Sequence, residues 1–227
     1  MLRLSQTHRR NFIAALALVL GLLAPITTPL AQSGGNPGVI PPNARRTYEQ
    51  LSARWWQWGL SLPVTPGHPF MGCPDPPDAG QAGPVWYLAG QFGTASCTLT
   101  IPPGESLFFP LANAECSSLE DPPFYGETAA AQRACAQFWA DQIDVTALFC
   151  EVDGIPIQDL ARYRIVSPQF SFTAPTPWIF GGTGGTGTSV SDGYFLLLAP
   201  LSPGLHTLHF GSTAFGIDAT YYLTVAP

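Results

Sequence analysis

Asn113 and Glu115 are the polar side chains whose types and spacing most favour a functional site. They follow the apolar run 107–111, and because they stand two positions apart they share one face if that strand continues. Cys116, the next residue, would hold them in place through a disulfide, as a preorganised site requires. A strand end whose polar side chains cap their own loop gives the same pattern and is the competing interpretation.

Asp192 is the acid that we expect to meet them. It lies in Ser191-Asp192-Gly193, a triplet typical of a corner, and loops gather at the ends of a sandwich. The catalytic candidates are therefore Glu115, Asn113 and Asp192, which together would line a polar pocket. Two carboxyl groups converging at about 5–9.5 Å would indicate glycoside hydrolysis.

Most other catalytic patterns fail in this sequence. The chain has no lysine, which excludes Schiff-base chemistry and the phosphate-binding loop. His206 and His209 stand three apart on a predicted strand, so they point to opposite faces and do not bind one metal ion together. The segment 104–108 begins like a nucleophile elbow but lacks the closing glycine. No metal site and no cofactor are predicted.

The charge of the chain limits its partners. It has nine arginines and fifteen Asp and Glu residues, and three of the arginines lie among the first ten residues. Removal of the N-terminal segment leaves six arginines against fifteen acids, a net charge of −9. Nucleic acids and anionic membranes are bound through clustered Lys and Arg, so neither is an expected partner.

Residues 1–31 have the pattern of a signal peptide. A basic start is followed by an apolar run over 12–24, which is shorter than the roughly 20 apolar residues that span a bilayer. Cleavage after Ala31 and cleavage after Ser33 both fit the small residues there. Arg9-Arg10 also resembles a twin-arginine signal, so the general and the twin-arginine export routes stay open. The predicted location is periplasmic or extracellular, with no stable membrane insertion after cleavage.

The five cysteines predict two disulfides in an oxidising compartment. Pairing neighbours along the chain joins Cys73 to Cys97 and Cys116 to Cys135. Cys150 is left over, and because it shares a strand face with apolar residues we expect it to be a small buried side chain.

A tryptophan-rich helix is predicted at the start of the folded region, from Thr47 as its N-cap to residue 60. Its apolar stripe at helical spacing consists of Tyr48, Leu51, Trp55 and Trp58. Helical spacing favours a helix that packs on a sheet, whereas clustered tryptophans also occur as sugar-stacking platforms. Trp56, which lies off the stripe, and Trp86 are the binding candidates.

The rest of the chain predicts a mainly β fold. A helix is expected over 128–142, a flexible glycine-rich loop over 174–189, and nine or ten short strands elsewhere, separated by turns every 8 to 12 residues. This pattern indicates an antiparallel two-sheet β-sandwich with two peripheral helices, immunoglobulin-like or jelly-roll-like. The segment 81–116 is its expected central hairpin. The predicted organisation is a flexible leader over 32–44 and one domain over 45–227.

Four motifs carry a resemblance to a known family. They are RWWQW at 54–58, GPVWYLAG at 83–90, PPGESLFFP at 102–110 and SPGLHTLHFG at 202–211. Together they are similar to a family of uncharacterised secreted bacterial proteins. The resemblance covers nearly the whole exported part and implies one folded unit, but it supplies no reaction and no catalytic residues.

The favoured interpretation is an exported, disulfide-stabilised β-sandwich that acts as a binding or structural module of the envelope or extracellular space. Carbohydrate or another cell-surface component is its expected partner. The alternative is a secreted, glycosidase-like hydrolase that uses carboxylates around Glu115.

Overall fold

Two five-stranded sheets form the body of the computed structural model, which describes residues 38–42, 45–90 and 93–227. All of these belong to one compact unit, Asn36–Pro227. The predicted signal peptide, 1–31, lies outside the described residues. Residues 38–40, which belong to the predicted leader, form backbone hydrogen bonds with residues 197–199. Ile40 N donates to Leu197 O at 2.9 Å, and Ala199 N donates to Gly38 O at 2.7 Å.

The elements follow one another as helix, three strands, helix and seven strands. The helices are α1 (Arg45–Ser61) and α2 (Ala129–Ala140). The strands are β1 (Val85–Tyr87), β2 (Gly93–Ile101), β3 (Ser106–Ser117), β4 (Leu148–Val152), β5 (Ile155–Pro156), β6 (Arg164–Val166), β7 (Phe170–Ala174), β8 (Gly185–Leu198), β9 (Gly204–Ser212) and β10 (Ile217–Val225). Short 3-10 turns, Val145–Ala147 and Leu160–Tyr163, precede β4 and β6.

The first sheet has the order β1-β3-β8-β6, with β7 also paired to β8, and the second has the order β2-β10-β9-β4-β5. The predicted mainly β, two-sheet architecture with two helices is confirmed. Most pairs are antiparallel, but β1 runs parallel to β3 and β2 runs parallel to β10. The alternation of residues along a strand does not encode the direction of its neighbour, so these two parallel pairs could not be predicted from the residue pattern.

The predicted central hairpin over 81–116 is wrong. β2 and β3 follow each other in the chain, but β2 lies in the second sheet and β3 in the first. The turn between them contains Pro102 and Pro103, which cannot donate backbone hydrogen bonds, and Gly104 with φ 84°. A turn of this chemistry closes a hairpin or crosses between sheets equally well, and here it crosses.

The glycine-rich segment is also more regular than predicted. β8 begins at Gly185, so residues 185–189 of the expected loop belong to a strand and pair with β7. Position 187 is occupied by glycine because a Cβ atom there would lie 2.6 Å from Leu119 Cγ. Close approach of two chain segments, and not flexibility, requires glycine at this position.

The aromatic face of α1 is buried against the first sheet, as its spacing predicted. Trp55 and Trp58 are 2% and 6% exposed, and their indole N–H groups donate to Leu88 O and Ala79 O, both at 2.8 Å. Phe70 stacks on Trp55 with ring centroids 4.8 Å apart. The helix is thereby fixed to the core, and its tryptophans do not form an exposed platform.

Both predicted disulfides, Cys73–Cys97 and Cys116–Cys135, are confirmed. The second bridge joins β3 to α2, so it fixes the helix over the end of the strand that carries Asn113 and Glu115. Cys150 is free and buried, as expected, and burial raises the pKa of its thiol. No helix within the described ranges is long and apolar enough to cross a membrane.

Candidate functional site

A cavity of about 650 Å³ lies beside the second half of β3. Four consecutive residues of the strand, 112–115, line it, whereas a strand face alone would contribute every second residue. The reason is that β1 pairs only with Ser106, Leu107 and Phe108, so beyond them β3 has no neighbour on that side among the described strands. The cavity therefore runs along an open sheet edge, and we refer to it as the Glu115 cavity.

The open edge presents backbone polar groups to the cavity. Ser117 N donates to Phe124 O at 3.0 Å and Gly126 N donates to Ser117 O at 2.8 Å, so the backbone groups of Ser117 point away from β8. Backbone direction alternates along a strand, so the N–H and C=O groups of Glu115 and Asn113 point the same way.

The walls of the cavity are largely aromatic and come from five parts of the chain. Six rings line it: Trp56, Phe124, Trp139, Trp178, Phe180 and Phe215. Trp178 and Phe180 meet at 5.2 Å on one side, and Phe124 stacks on Trp139 at 5.0 Å on another. Three acids also line it, Glu115, Glu120 and Asp121.

Glu115 lies buried in the wall, 3% exposed, with its carboxyl in a hydrogen-bond network. Its Oε2 contacts Ser189 Oγ, which also donates to Cys116 O at 3.0 Å. The carboxyl of Glu120 lies close enough for its charge to raise the pKa of Glu115, and its Oε2 accepts from Ser117 Oγ at 2.9 Å.

This network requires a proton on the carboxyl pair. A hydroxyl and a carboxyl oxygen form a hydrogen bond only when one of the two supplies a proton. The Ser189 hydroxyl has a single proton and cannot donate to both of its acceptors. Burial, followed by repulsion from Glu120, raises the pKa of Glu115 well above its usual range, and burial also raises the pKa of Glu120. We therefore assign a neutral carboxyl to Glu115.

Three buried polar atoms at the cavity wall have no partner among the described residues. They are Trp56 Nε1, Asn113 Oδ1 and Glu115 Oε1. Trp56 and Glu115 are 7% and 3% exposed. Unpaired buried polar groups are costly in a folded protein, so atoms of this kind around one cavity are typical of a binding site.

Asp192 lies outside this site, contrary to expectation. Residues 191–193 are in the middle of β8 and form no corner. Asp192 pairs with Ala114 across the ladder, and Glu115 pairs with Ser191, so the two carboxyls point to opposite faces of the sheet. Asp192 instead accepts from Arg164 at 2.8 and 3.1 Å with a side chain 1% exposed.

The two tryptophan candidates have different surroundings. Trp56 lines the Glu115 cavity and lies 6.4 Å from Phe180, centroid to centroid. Trp86 is buried in β1, and the residues around the cavity do not include it. Trp56 is thus part of the candidate site and Trp86 is not.

A Ser–His–Asp arrangement occurs on the second sheet. His206 Nδ1 lies 2.8 Å from Asp153 Oδ2, and its Nε2 lies 3.4 Å from Ser202 Oγ. The same Nε2 lies 2.8 Å from Ser202 O, a carbonyl that can only accept. Nε2 therefore carries a proton and cannot act as the base for the hydroxyl, so the arrangement is a hydrogen-bonded histidine and not a nucleophilic triad.

Sequence reasoning missed Glu120, the partner of Glu115. The signal was present as Ser117-x-x-Glu120, the spacing at which a serine and an acid bond to each other's backbone or side chain at a turn. Here Ser117 Oγ accepts from Glu120 N at 3.2 Å while donating to its carboxyl. The turn folds Glu120 back over β3.

Comparisons of the chain with protein-family models, with curated proteins and with solved structures find no match. Across the described ranges, no three His, Cys, Asp or Glu side chains converge as a metal site would need. The geometry of the cavity is what a functional proposal has to rest on.

Proposed function

We propose that this protein is an exported binding protein that holds a small organic ligand in the Glu115 cavity. The observation that carries the proposal is the set of unpaired atoms at the wall, Trp56 Nε1, Asn113 Oδ1 and Glu115 Oε1. A ligand with an apolar or ring-shaped body and a few polar groups would complete their hydrogen bonds.

Three features of the cavity support a small ligand. Its volume of about 650 Å³ lies within the roughly 300–1,000 Å³ typical of small-molecule sites. Aromatic rings face it from several sides, which suits a ring or an apolar body. The Cys116–Cys135 bridge and the α2 helix hold the walls in place without a ligand, so little ordering would be required on binding.

Export is part of the proposal. Two disulfides within a β-rich fold suit an oxidising compartment, which agrees with the predicted signal peptide. Carbohydrate is the partner class that the sequence suggested. A sugar is ring-shaped, and its hydroxyl groups would donate hydrogen bonds to the unpaired acceptor atoms. Membership of the uncharacterised secreted family remains a prediction.

A hydrolase is the second candidate, and the contact between Glu115 and Glu120 favours it. In a contacting pair one carboxyl can act as a base towards water while the other acts as an acid. The glycosidase form of that alternative needs two carboxyls about 5–9.5 Å apart across a substrate. Asp192, the expected second acid, points to the opposite face of the sheet and does not supply one. Product formation that Glu115→Gln abolishes would favour the hydrolase over the binding protein.

A thermal-shift screen tests the binding proposal. The processed protein is mixed with panels of sugars, amines and neutral ring compounds, and a ligand at about 100 times its Kd should add about 2.7 kcal/mol of stability. Phe180→Ala removes an exposed ring from the cavity, whereas Tyr222→Ala removes one of similar exposure from β10, away from the cavity. Binding that is weakened by the first change and kept by the second supports the proposal. Binding that both variants keep contradicts it.

A further inference from the structure

We propose that the ligand of the Glu115 cavity is an organic cation, a small amine or quaternary ammonium compound whose charged group lies among the aromatic rings near Glu115. The inference rests on the proposed binding function and narrows its ligand class.

The charge around the cavity is the first argument. Its lining contains three acids, Glu115, Glu120 and Asp121. No arginine or histidine is among the described residues of the lining, and the chain has no lysine. An anionic ligand would meet only like charges here, whereas a cation would find compensation for the loss of its hydration shell.

The aromatic rings are the second argument. A cation is attracted to the face of an aromatic ring, and tryptophan gives the strongest attraction. Three of the six rings are tryptophans, Trp56, Trp139 and Trp178, and they come from α1, α2 and the segment before β8. Rings on several sides of a cavity that also holds carboxyls make an enclosure typical of ammonium recognition.

The unpaired atoms are the third argument, and they are independent of the acid cluster. Glu115 Oε1 and Asn113 Oδ1 are acceptors that lack a donor among the described residues, and Glu115 is more than nine-tenths buried. An ammonium N–H, or the polarised C–H groups of a quaternary ammonium, would supply positive density to both. The one unpaired donor, Trp56 Nε1, would suit a single hydroxyl or ether oxygen of the same ligand.

The carboxyl pair gives the inference a pH dependence. A cation beside Glu115 favours the ionised carboxylate and so displaces the proton that the pair holds. Among the described residues, Glu115, Glu120 and Asp121 are the titratable groups of the lining, because the residues contributed by α1, by α2 and the segment after it, by 178–181 and by 215–217 carry no ionisable side chain. Affinity should therefore fall as Glu115 and Glu120 are protonated at acid pH, and binding at neutral pH should release protons to the buffer.

Isothermal titration calorimetry of the processed protein with matched probes tests the inference. The cationic probes are tetramethylammonium, choline and benzyltrimethylammonium. The matched control is the carbon isostere of choline, in which a tert-butyl group replaces the trimethylammonium group, and a panel of neutral sugars is titrated alongside. At neutral pH we expect at least one ammonium probe to bind at least about tenfold more tightly than its neutral counterpart.

Two further comparisons make the result specific. Glu115→Gln should remove most of the preference for the cation, and the heat measured in buffers of different ionisation enthalpy should show proton release by wild type alone. Equal affinity for choline and its isostere, or binding of sugars but of no ammonium probe, would overturn the cation inference and leave the binding function standing. Failure of every probe, charged and neutral, to bind the wild-type protein would overturn both.

Discussion

The carboxyl groups of Glu115 and Glu120 lie close together at the wall of an aromatic cavity, near enough for the charge of Glu120 to raise the pKa of Glu115. Glu115 belongs to β3, and Glu120 reaches it because Ser117 turns the chain back on itself. Holding two acids in contact and out of water lowers stability at neutral pH, a cost that proteins commonly accept at functional sites.

Replacing Glu115 by glutamine should stabilise the protein at neutral pH. The folded state raises the pKa of Glu115 above the usual 4.5, so the folded protein binds more protons than the unfolded chain as pH rises from there. Stability contributed by this group is therefore lost as pH increases through its folded pKa. A glutamine amide keeps the shape and is neutral without taking up a proton, so its stabilising effect at neutral pH should be about 1–3 kcal/mol.

Urea denaturation of wild type and Glu115→Gln between about pH 4 and pH 8 measures this difference. It should be smallest at the acid end and grow towards neutral pH. Glu105→Gln, on a more exposed acid, is the matched control and should show a smaller change. A Glu115→Gln protein that is less stable than wild type at neutral pH would contradict the neutral assignment.

Arg164 compensates the buried charge of Asp192, and its removal should be costly. Arg164 also bonds to Asp141 at 2.6 Å, and its side chain is about a third exposed. Arg164→Met leaves Asp192 unpaired and should destabilise the fold by about 2–3 kcal/mol, below the roughly 3–5 kcal/mol for a fully buried pair. Chemical denaturation gives the value.

The double variant Arg164→Met with Asp192→Asn is the control for that prediction. It removes the buried charge as well as its partner, so it should recover part of the lost stability. If the losses of stability caused by the two single substitutions simply add in the double variant, the charge of Asp192 does not depend on Arg164 for compensation.

The two disulfides should differ in their effect on binding. Each closes a loop, with sequence separations of 19 for Cys116–Cys135 and 24 for Cys73–Cys97, and loss of either should cost about 3 kcal/mol. Only the first joins β3 to α2, two elements that contribute residues to the lining of the Glu115 cavity. Serine replacement of Cys116 and Cys135 should therefore weaken ligand binding below the melting temperature, and the same change at Cys73 and Cys97 should not. Calorimetric titration of both variants decides between these outcomes.

His206 should contribute stability at low pH only. Burial disfavours its charge, but the bonds to Asp153 and to the Ser202 carbonyl outweigh burial and raise the pKa of His206 above 6.5. Its contribution is then complete below the unfolded value and is lost as pH rises through the folded pKa. Because solvent screens the pair, the loss should be about 0.5–1 kcal/mol.

Denaturation of His206→Gln and of wild type on either side of neutral pH measures this contribution. Asp153→Asn is the matched control, since asparagine tolerates the positive φ of 53° at this turn and keeps an acceptor for Thr207 N. Both variants should differ from wild type more at acid than at alkaline pH. A difference that does not vary with pH would mean that the pair carries no charge.

The sequence predicted the parts of the fold that depend on local patterns. The spacing of Trp55 and Trp58 identified the buried face of α1, and the order of the cysteines identified both bridges. The placement of β2 and β3 in different sheets depends on long-range pairing, which a turn such as 102–104 does not determine.

The site could be predicted in part for the same reason. Asn113 and Glu115 were identifiable because their spacing along one strand already places them together. Asp192 was placed wrongly because its triplet has the composition of a corner but lies within β8, where the register opposite Ala114 turns it to the other face. Trp139, Trp178 and Phe180 are distant in sequence, and only the packed fold brings their rings to one cavity.

The central claim, that the Glu115 cavity is a ligand site for an organic cation, is tested most directly by crystallography with a heavy-atom probe. A crystal of the processed protein is soaked in para-bromobenzyltrimethylammonium, and the anomalous signal of bromine locates the ligand. We predict a peak inside the cavity, with the ammonium group within about 6 Å of the centroid of a lining ring such as Trp56 or Trp178. Bromine bound only elsewhere on the protein, with the cavity holding solvent alone, would contradict the claim.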